Sequence, residues 1–266
     1  MLHLLTLTYN RLDLLKQLKD GLYNNLNELN IPYKWYIRSN GCKDNTAEEV
    51  AKWKDVEVLK SNHNLDNFAK CVNSLVKLAN PADDDVLLLL NNDITFQDKV
   101  SLKNMMSLLK DDISIVGARL LYPGTDLLQH AGVIFSAKLY NSLPYHYRHK
   151  EKSDKAAEKN RYFQCVTAAV SLVKAKDFKA VGGMDENYQW CFEDIDLNLL
   201  IGASGKKISY CGETNIFHHE SLTVNKTHIN KLFVQSNVKR FREKWTGKYE
   251  LDHDKYLNNS NYNIII

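Results

Sequence analysis

Apolar residues over the first hundred positions follow two different periods. Short β-type runs at 4–8, 35–38, 56–60 and 86–90 are separated by stretches at 12–29, 46–53 and 67–78. In those stretches apolar residues recur every three to four positions, as a surface helix requires. Strand and helix in alternation predict a parallel sheet with helices on both faces, a Rossmann-like half.

Beyond this half the pattern becomes mixed. A helix is expected over 99–109, strands around 113–121 and 132–135, core-like sequence at 165–173, a helix over 194–201 ending at Gly202, and a strand over 207–211. Residues 145–161 are crowded with Lys, His, Tyr and Glu and carry little apolar periodicity, which reads as a mobile loop or lid; its run from Tyr145 to Lys150 suits closing over phosphates or holding an acceptor, and equally a solvated surface loop. A basic amphipathic helix over about 226–245 closes the ordered part. The expected fold class is therefore α/β: a mixed, mainly parallel central sheet flanked by helices. The expected domain spans 1–225, with halves 1–97 and 98–225, followed by a C-terminal helical extension and tail over 226–266.

Composition narrows the class without deciding it. With 44% hydrophobic and 25% charged residues the 266-residue chain matches an ordinary globular protein. A formal charge of +3 is too mild to argue for a nucleic-acid partner. Cys42, Cys71, Cys165, Cys191 and Cys211 form no CxxC pair, so neither a zinc site nor a disulfide framework is suggested. The apolar start, 1–9, is strand-length and lacks a basic leader, and no run is long enough to span a bilayer. That reading places the chain in the cytoplasm.

In parallel sheets ligands bind at the carboxyl ends of the strands. Here those ends are Tyr9-Asn10-Arg11, Ser39-Asn40-Gly41, Ser61-Asn62-His63 and Asn91-Asn92-Asp93. Taken singly, each is also what an ordinary turn contains. Asp93 ends a buried run and suits a hard divalent ion bridging two phosphates, which needs only one or two protein carboxylates; an Asx turn is the bland alternative. Gly182-Gly183-Met184-Asp185-Glu186, then Trp190, then Glu193-Asp194-Ile195-Asp196, set carboxylates beside an aromatic. Such a cluster suits a base that deprotonates a hydroxyl next to a stacking platform, and it equally suits a helix N-terminus. Phe217-His218-His219-Glu220 brings an imidazole that could complete a metal shell begun by Asp93.

In this order the motifs resemble those of the family 2 glycosyltransferases of the GT-A fold, over roughly residues 4–245. The matching segments are Thr8-Tyr9-Asn10-Arg11, Asn40-Gly41 with Asp44, Leu90-Asn91-Asn92-Asp93, Gln129-His130-Ala131-Gly132-Val133, 181–186, Glu193-Asp194-Ile195-Asp196-Leu197, and His218-His219-Glu220-Ser221 with Thr223. The resemblance implies a nucleotide-diphosphate sugar donor and Mn2+ or Mg2+ held by Asp93 and His218. It implies Asp194, with Glu193, as the catalytic pair. Donor contacts fall on Thr8, Tyr9, Asn10, Arg11, Ser39, Asn40, Lys70, Asn91 and Asn92, and acceptor contacts on Trp190, Asp196 and His130. An inverting transfer to a glycan or lipid-linked acceptor follows. A hydroxymethylated DNA base is the alternative acceptor, and a non-catalytic nucleotide-sugar or glycan-binding module is the alternative class. The basic residues Lys239, Arg240, Arg242 and Lys244 suit a solvated face, a peripheral membrane contact or a phosphate backbone. Three departures from the pattern stand out: Arg38-Ser39 where the family reads uracil with an Asp, Asn91 for the first metal-motif Asp, and Thr167-Ala168-Ala169 for Thr-Gly-Ala.

Overall fold

Strand β1 (Leu2–Thr8) is buried at all but one of its positions, as a strand covered by helices on both faces must be. The computed structural model describes residues 1–110, 112–189, 191–219 and 231–265. Helix α1 (Leu12–Leu29) lays Leu14, Leu15, Leu18, Leu22 and Leu26 against the sheet, each fully buried side chain contributing about 1.5–3 kcal/mol. It stops at Asn30, whose left-handed backbone (φ 50°) turns its N–H onto the carbonyl of Leu26 at 3.1 Å.

Strands β2 (Tyr33–Asn40), β3 (Val56–Ser61) and β4 (Val86–Leu90) complete the alternating half with helices α2 (Thr46–Val50) and α3 (Phe68–Ala79). All four strands are parallel, with Leu2 beside both Tyr33 and Val86. The second half supplies β5 (Ile94–Phe96), α4 (Ser101–Leu108), β6 (Ile113–Leu121), β7 (Leu128–His130), β8 (Val133–Phe135), β9 (Pro144–His146), β10 (Arg161–Phe163) and β11 (Val170–Lys174). It continues through α5 (Ala175–Ala180), α6 (Glu193–Ala203), β12 (Lys207–His218), α7 (Lys231–Trp245) and α8 (His253–Asn258).

Across the main sheet the order is β10-β12-β6-β11-β4-β1-β2-β3. Because β11 is antiparallel to both β4 and β6, and β12 is parallel to β6, the last two run in the same sense as β4. The carboxyl ends of β1, β2, β3, β4, β6 and β12 therefore open on one edge, where β11 begins. The expectation of a mixed, mainly parallel sheet holds.

Three expectations change. The strand expected over 207–211 runs on to His218 across an irregularity between Cys211 and Ile216. Residues 145–161 are tethered rather than loose: β9 pairs with β8, and Arg148 binds Glu151 and Asp154, each at 2.7 Å. Order also continues past Trp245. Tyr256 of α8 is buried and stacks on Phe163 with ring centroids 4.5 Å apart, and Ile264 bridges back to Arg161. The turn into β8 requires Gly132, at φ 104°, since a Cβ there would lie 2.5 Å from the Phe163 ring.

Candidate active site

β5 folds back antiparallel to the end of β12, setting Ile94 opposite His218, so that Asp93 and His218 meet. The Asp93 Oδ1 and His218 Nε2 atoms are 3.3 Å apart, and both side chains are over nine-tenths buried. Two ligands about 2.1 Å from one ion at adjacent octahedral positions lie about 3 Å apart, so this separation fits a shared coordination sphere. The Nδ1 atom of His218 is buried without a protein partner. Among the described residues no group of three or more His, Cys, Asp or Glu side chains is placed to hold a metal ion.

The acidic pair lies along the same edge. Ala169 beside the start of β11 accepts the amide of Asn91 at 2.9 Å, and Ala168 donates its own amide to Asp194 Oδ2 at 3.1 Å. Asp194 Oδ1 accepts from Ile195 N at 2.8 Å, and the Thr167 hydroxyl also bonds the carboxylate. Burial nevertheless raises the pKa of Asp194. Burial, then the charge of Asp194, pushes neighbouring Glu193 up to about 8, and Glu193 Oε2 is buried without a protein partner.

Beside this pair opens a cavity of about 360 Å³ whose lining includes Tyr145, His146, Thr167, Phe192, Glu193 and Asp194. Its polar wall is a short relay. Thr167 N–H donates to His130 Nε2 at 3.4 Å, so the His130 proton sits on Nδ1 and is given to His146 Nδ1 at 2.8 Å. His146 then carries its proton on Nε2. Burial keeps both rings neutral, lowering His146 to about 4 and His130 well below the usual range.

Among the residues expected to contact a donor, Thr8 Oγ1 accepts from Asn92 Nδ2 at 3.1 Å and donates to the carbonyl of Asn10 at 2.6 Å. Asn10 and Arg11 take left-handed backbone (φ 54° and 63°) as β1 turns into α1, and Arg11 binds Asp13 at 2.8 Å; Tyr9 is half-buried in the same turn. At the end of β2, Ser39 is buried and Asn40 donates to Asn64 Oδ1 at 2.7 Å. Buried Arg38 binds Asp66 and, at 2.5 Å, Ser74 Oγ. Lys70 is spent on Asp66 as well, at 2.6 Å, and its hydrogen bond holds that carboxyl below the usual range.

Two residues assigned to the acceptor occupy other places. Asp196 is fully buried and accepts from Trp245 Nε1 at 2.7 Å, Lys244 Nζ at 2.8 Å and Tyr188 OH at 3.2 Å, which pins α7 to α6. His130 is fully buried behind His146. Trp190, Glu220, Ser221 and Thr223 lie outside the described residues. The basic helix is largely neutralised within the fold: Arg240 binds Asp185 at 2.5 Å and Lys244 binds Asp196. Of the cavity-lining residues, Tyr145 and His146 belong to the 145–161 stretch singled out in the sequence, whereas Phe192 carries no motif that a sequence could flag.

Glycosyltransferases are among the solved structures with the same architecture. The mannosyltransferase PcManGT of Pyrobaculum calidifontis, in complex with GDP-Man and Mn2+, superposes with a TM-score of 0.60 at 13% identity, covering 94% of this chain and 65% of that one. GalNAc-T7 with UDP, GalNAc and Mn2+ gives 0.63 at 10% identity, over 96% and 57% of the two chains. The chain has the GT-A fold. The structure of S. aureus TarS 1-349 gives 0.56 at 11% identity over 97% and 78%. In sequence the chain is 29% identical over 219 residues, 79% of its length, to the O-antigen biosynthesis protein RfbC of Myxococcus xanthus. It is 31% identical over 142 residues, 52% of its length, to the uncharacterized protein y4gI of Sinorhizobium fredii (strain NBRC 101917 / NGR234). It spans only 16% and 15% of those two proteins. No protein-family model matches the chain.

Proposed function

We propose that the protein is an inverting, metal-dependent glycosyltransferase that moves a sugar from a nucleotide diphosphate to an acceptor hydroxyl, in the synthesis of a surface glycan. One observation carries the reading: Asp194 is bonded to Ala168, next to the Ala169 carbonyl that holds Asn91, so the acidic pair and the Asp93–His218 pair share one edge of the sheet. A GT-A fold and the likeness to an O-antigen biosynthesis protein support the same class.

Asp93 and His218 would hold Mn2+ or Mg2+, which when bound offsets charge on the diphosphate leaving group. Thr8, Asn10 and Asn92 shape the turn that faces the donor. Asp194 takes the proton of the acceptor hydroxyl as its oxygen bonds to the anomeric carbon and the bond from that carbon to the diphosphate breaks. Attack from the side opposite the leaving group inverts the anomeric centre. The amides of Ala168 and Ile195 fix the carboxylate for that task.

The test is transfer and hydrolysis with a panel of nucleotide sugars, with and without Mn2+. Asp194→Asn is expected to lower kcat on the order of 10²- to 10⁴-fold while leaving donor binding by calorimetry within twofold. Normal turnover in this variant would remove Asp194 from the role of base.

A further inference from the structure

The cavity beside Asp194 has an acidic floor and an aromatic rim. The rim is Tyr145, which lines the cavity, and Tyr140, whose ring centroid lies 4.7 Å from that of Tyr145 at an interplanar angle of 37°. Tyr140 keeps 64% of its surface exposed. It begins a run of three non-glycine residues in left-handed backbone, Tyr140, Asn141 and Ser142, with φ of 53°, 52° and 62°. Such a run persists only where its surroundings impose it. Here the C-terminal segment does so: Tyr249 OH donates to the Ser142 carbonyl at 2.7 Å, Arg242 reaches the Asn141 carbonyl at 3.4 Å, and His253 of α8 hydrogen-bonds the Tyr145 hydroxyl.

The floor rejects anions. Asp194 and Glu193 both line the cavity, and no Lys or Arg is among the described lining residues. A phosphate or carboxylate seated there would lose water and meet the ionised Asp194 with no lining cation to offset it. Hydroxyls fare better, because Thr167, His146 and Glu193 line the polar side and are residue types that exchange hydrogen bonds with hydroxyls. The face of a tyrosine ring is negative and attracts the slightly positive C–H face of a pyranose, which carries no net charge.

We propose that this cavity takes an uncharged saccharide ring as acceptor, stacked on Tyr145 and Tyr140, with His253 as the positioning residue that holds Tyr145. The proposal rests on the glycosyltransferase reading. It sets the acceptor ring apart from a nucleic acid, a polyol phosphate or a uronic acid.

The experiment has two stages with separate readouts. Donor hydrolysis by the purified chain, with a panel of nucleotide sugars and MnCl2, comes first; absence of both hydrolysis and donor binding overturns the transferase reading and this proposal with it. Methyl glycosides of neutral hexoses and N-acetylhexosamines are then compared with methyl hexuronides of the same ring configuration. At least one neutral glycoside is expected to be extended, with kcat/KM at least tenfold above that of its uronide. Tyr145→Ala is expected to raise glycoside KM at least tenfold while moving kcat less than threefold, and Tyr145→Trp to restore it. Tyr140→Ala, at an exposed position, is expected to raise KM at least threefold without loss of fold. His253→Ala is expected to raise KM, and His253→Gln, which can still bond the phenol, to recover it. Equal use of the uronides, unchanged KM in Tyr145→Ala and Tyr140→Ala, or donor hydrolysis with no glycoside extended overturns the proposal while leaving the transferase reading intact.

Discussion

Replacing Asp196 by Ala separates a structural pin from an acceptor contact. The carboxylate is fully buried and serves three donors: the indole of Trp245, the phenol of Tyr188 and the ammonium of Lys244. Removing one partner of a buried ion pair costs about 3–5 kcal/mol, and each neutral donor left unsatisfied costs about 1–3 kcal/mol within that total. Lys244 is 31% exposed, so water recovers part of its loss and the lower half of the range applies. About 3–4 kcal/mol in a chain of this size lowers Tm by roughly 6–15 °C. Asp196→Asn keeps an oxygen for Trp245 and Tyr188 but sets an NH2 donor against the Lys244 ammonium, so it loses the ion pair with its hydrogen bond and should cost less than the Ala variant, about 2–3 kcal/mol. Urea denaturation followed by tryptophan fluorescence measures both, and acceptor KM is measured on the same preparations. A variant with wild-type stability and a raised acceptor KM would refute the argument and return Asp196 to the acceptor site.

Asp93→Ala and His218→Ala are each expected to abolish the rise in Tm that MnCl2 gives the wild type; a full shift in either variant would place the ion elsewhere. Transfer rate should climb as pH rises through the pKa of Asp194, which burial raises above the usual carboxylate range, because Asp194 must be ionised to act. Stability should move the other way: the Glu193 carboxyl, raised by burial, stabilises fully below its ordinary value near 4.5 and loses that contribution as pH climbs through about 8, readable as a falling Tm. His146 imposes the opposite limit. Its pKa is depressed to about 4, so its contribution is complete above 6.5 and fades as pH falls through about 4, and His146→Phe should flatten the acid side of a Tm–pH profile.

The first half of the fold was legible because its elements obey their periods. The apolar run before Asn91 could only be a covered strand, and Asp93 follows it onto the ligand edge. The end of β12 was harder. Pattern reading stops at Cys211 because Gly212, Glu213, Thr214 and Asn215 are not apolar, yet the strand continues to His218. Thr214 is buried there at no net loss, since its hydroxyl is satisfied by the carbonyls of Arg119 and Cys211. The rim of the cavity was legible only as residue types, Tyr145 and His146 in a polar stretch, and not in its conformation. Residues 140–146 have no period, and their conformation comes from Tyr249, Arg242 and His253, which lie about a hundred residues further along the chain.

The acidic cluster shows how much more a sequence holds than its motif. Read as three carboxylates in four positions, Glu193, Asp194 and Asp196 are equivalent candidates for one cleft. A helix turns about 100° per residue, so Asp194 and Asp196 point about 200° apart and cannot both face the same pocket. One of them must look back into the protein, and a carboxylate that does so needs donors. Trp245 and Lys244 supply them from α7, a helix whose basic character suggested an outer surface. The cluster and the basic helix explain each other: α7 carries cations because α6 turns an anion towards it. By the same geometry Asp194 is the member of the pair left to face the cavity, with Glu193 one step, about 100°, round the helix and also part of the lining.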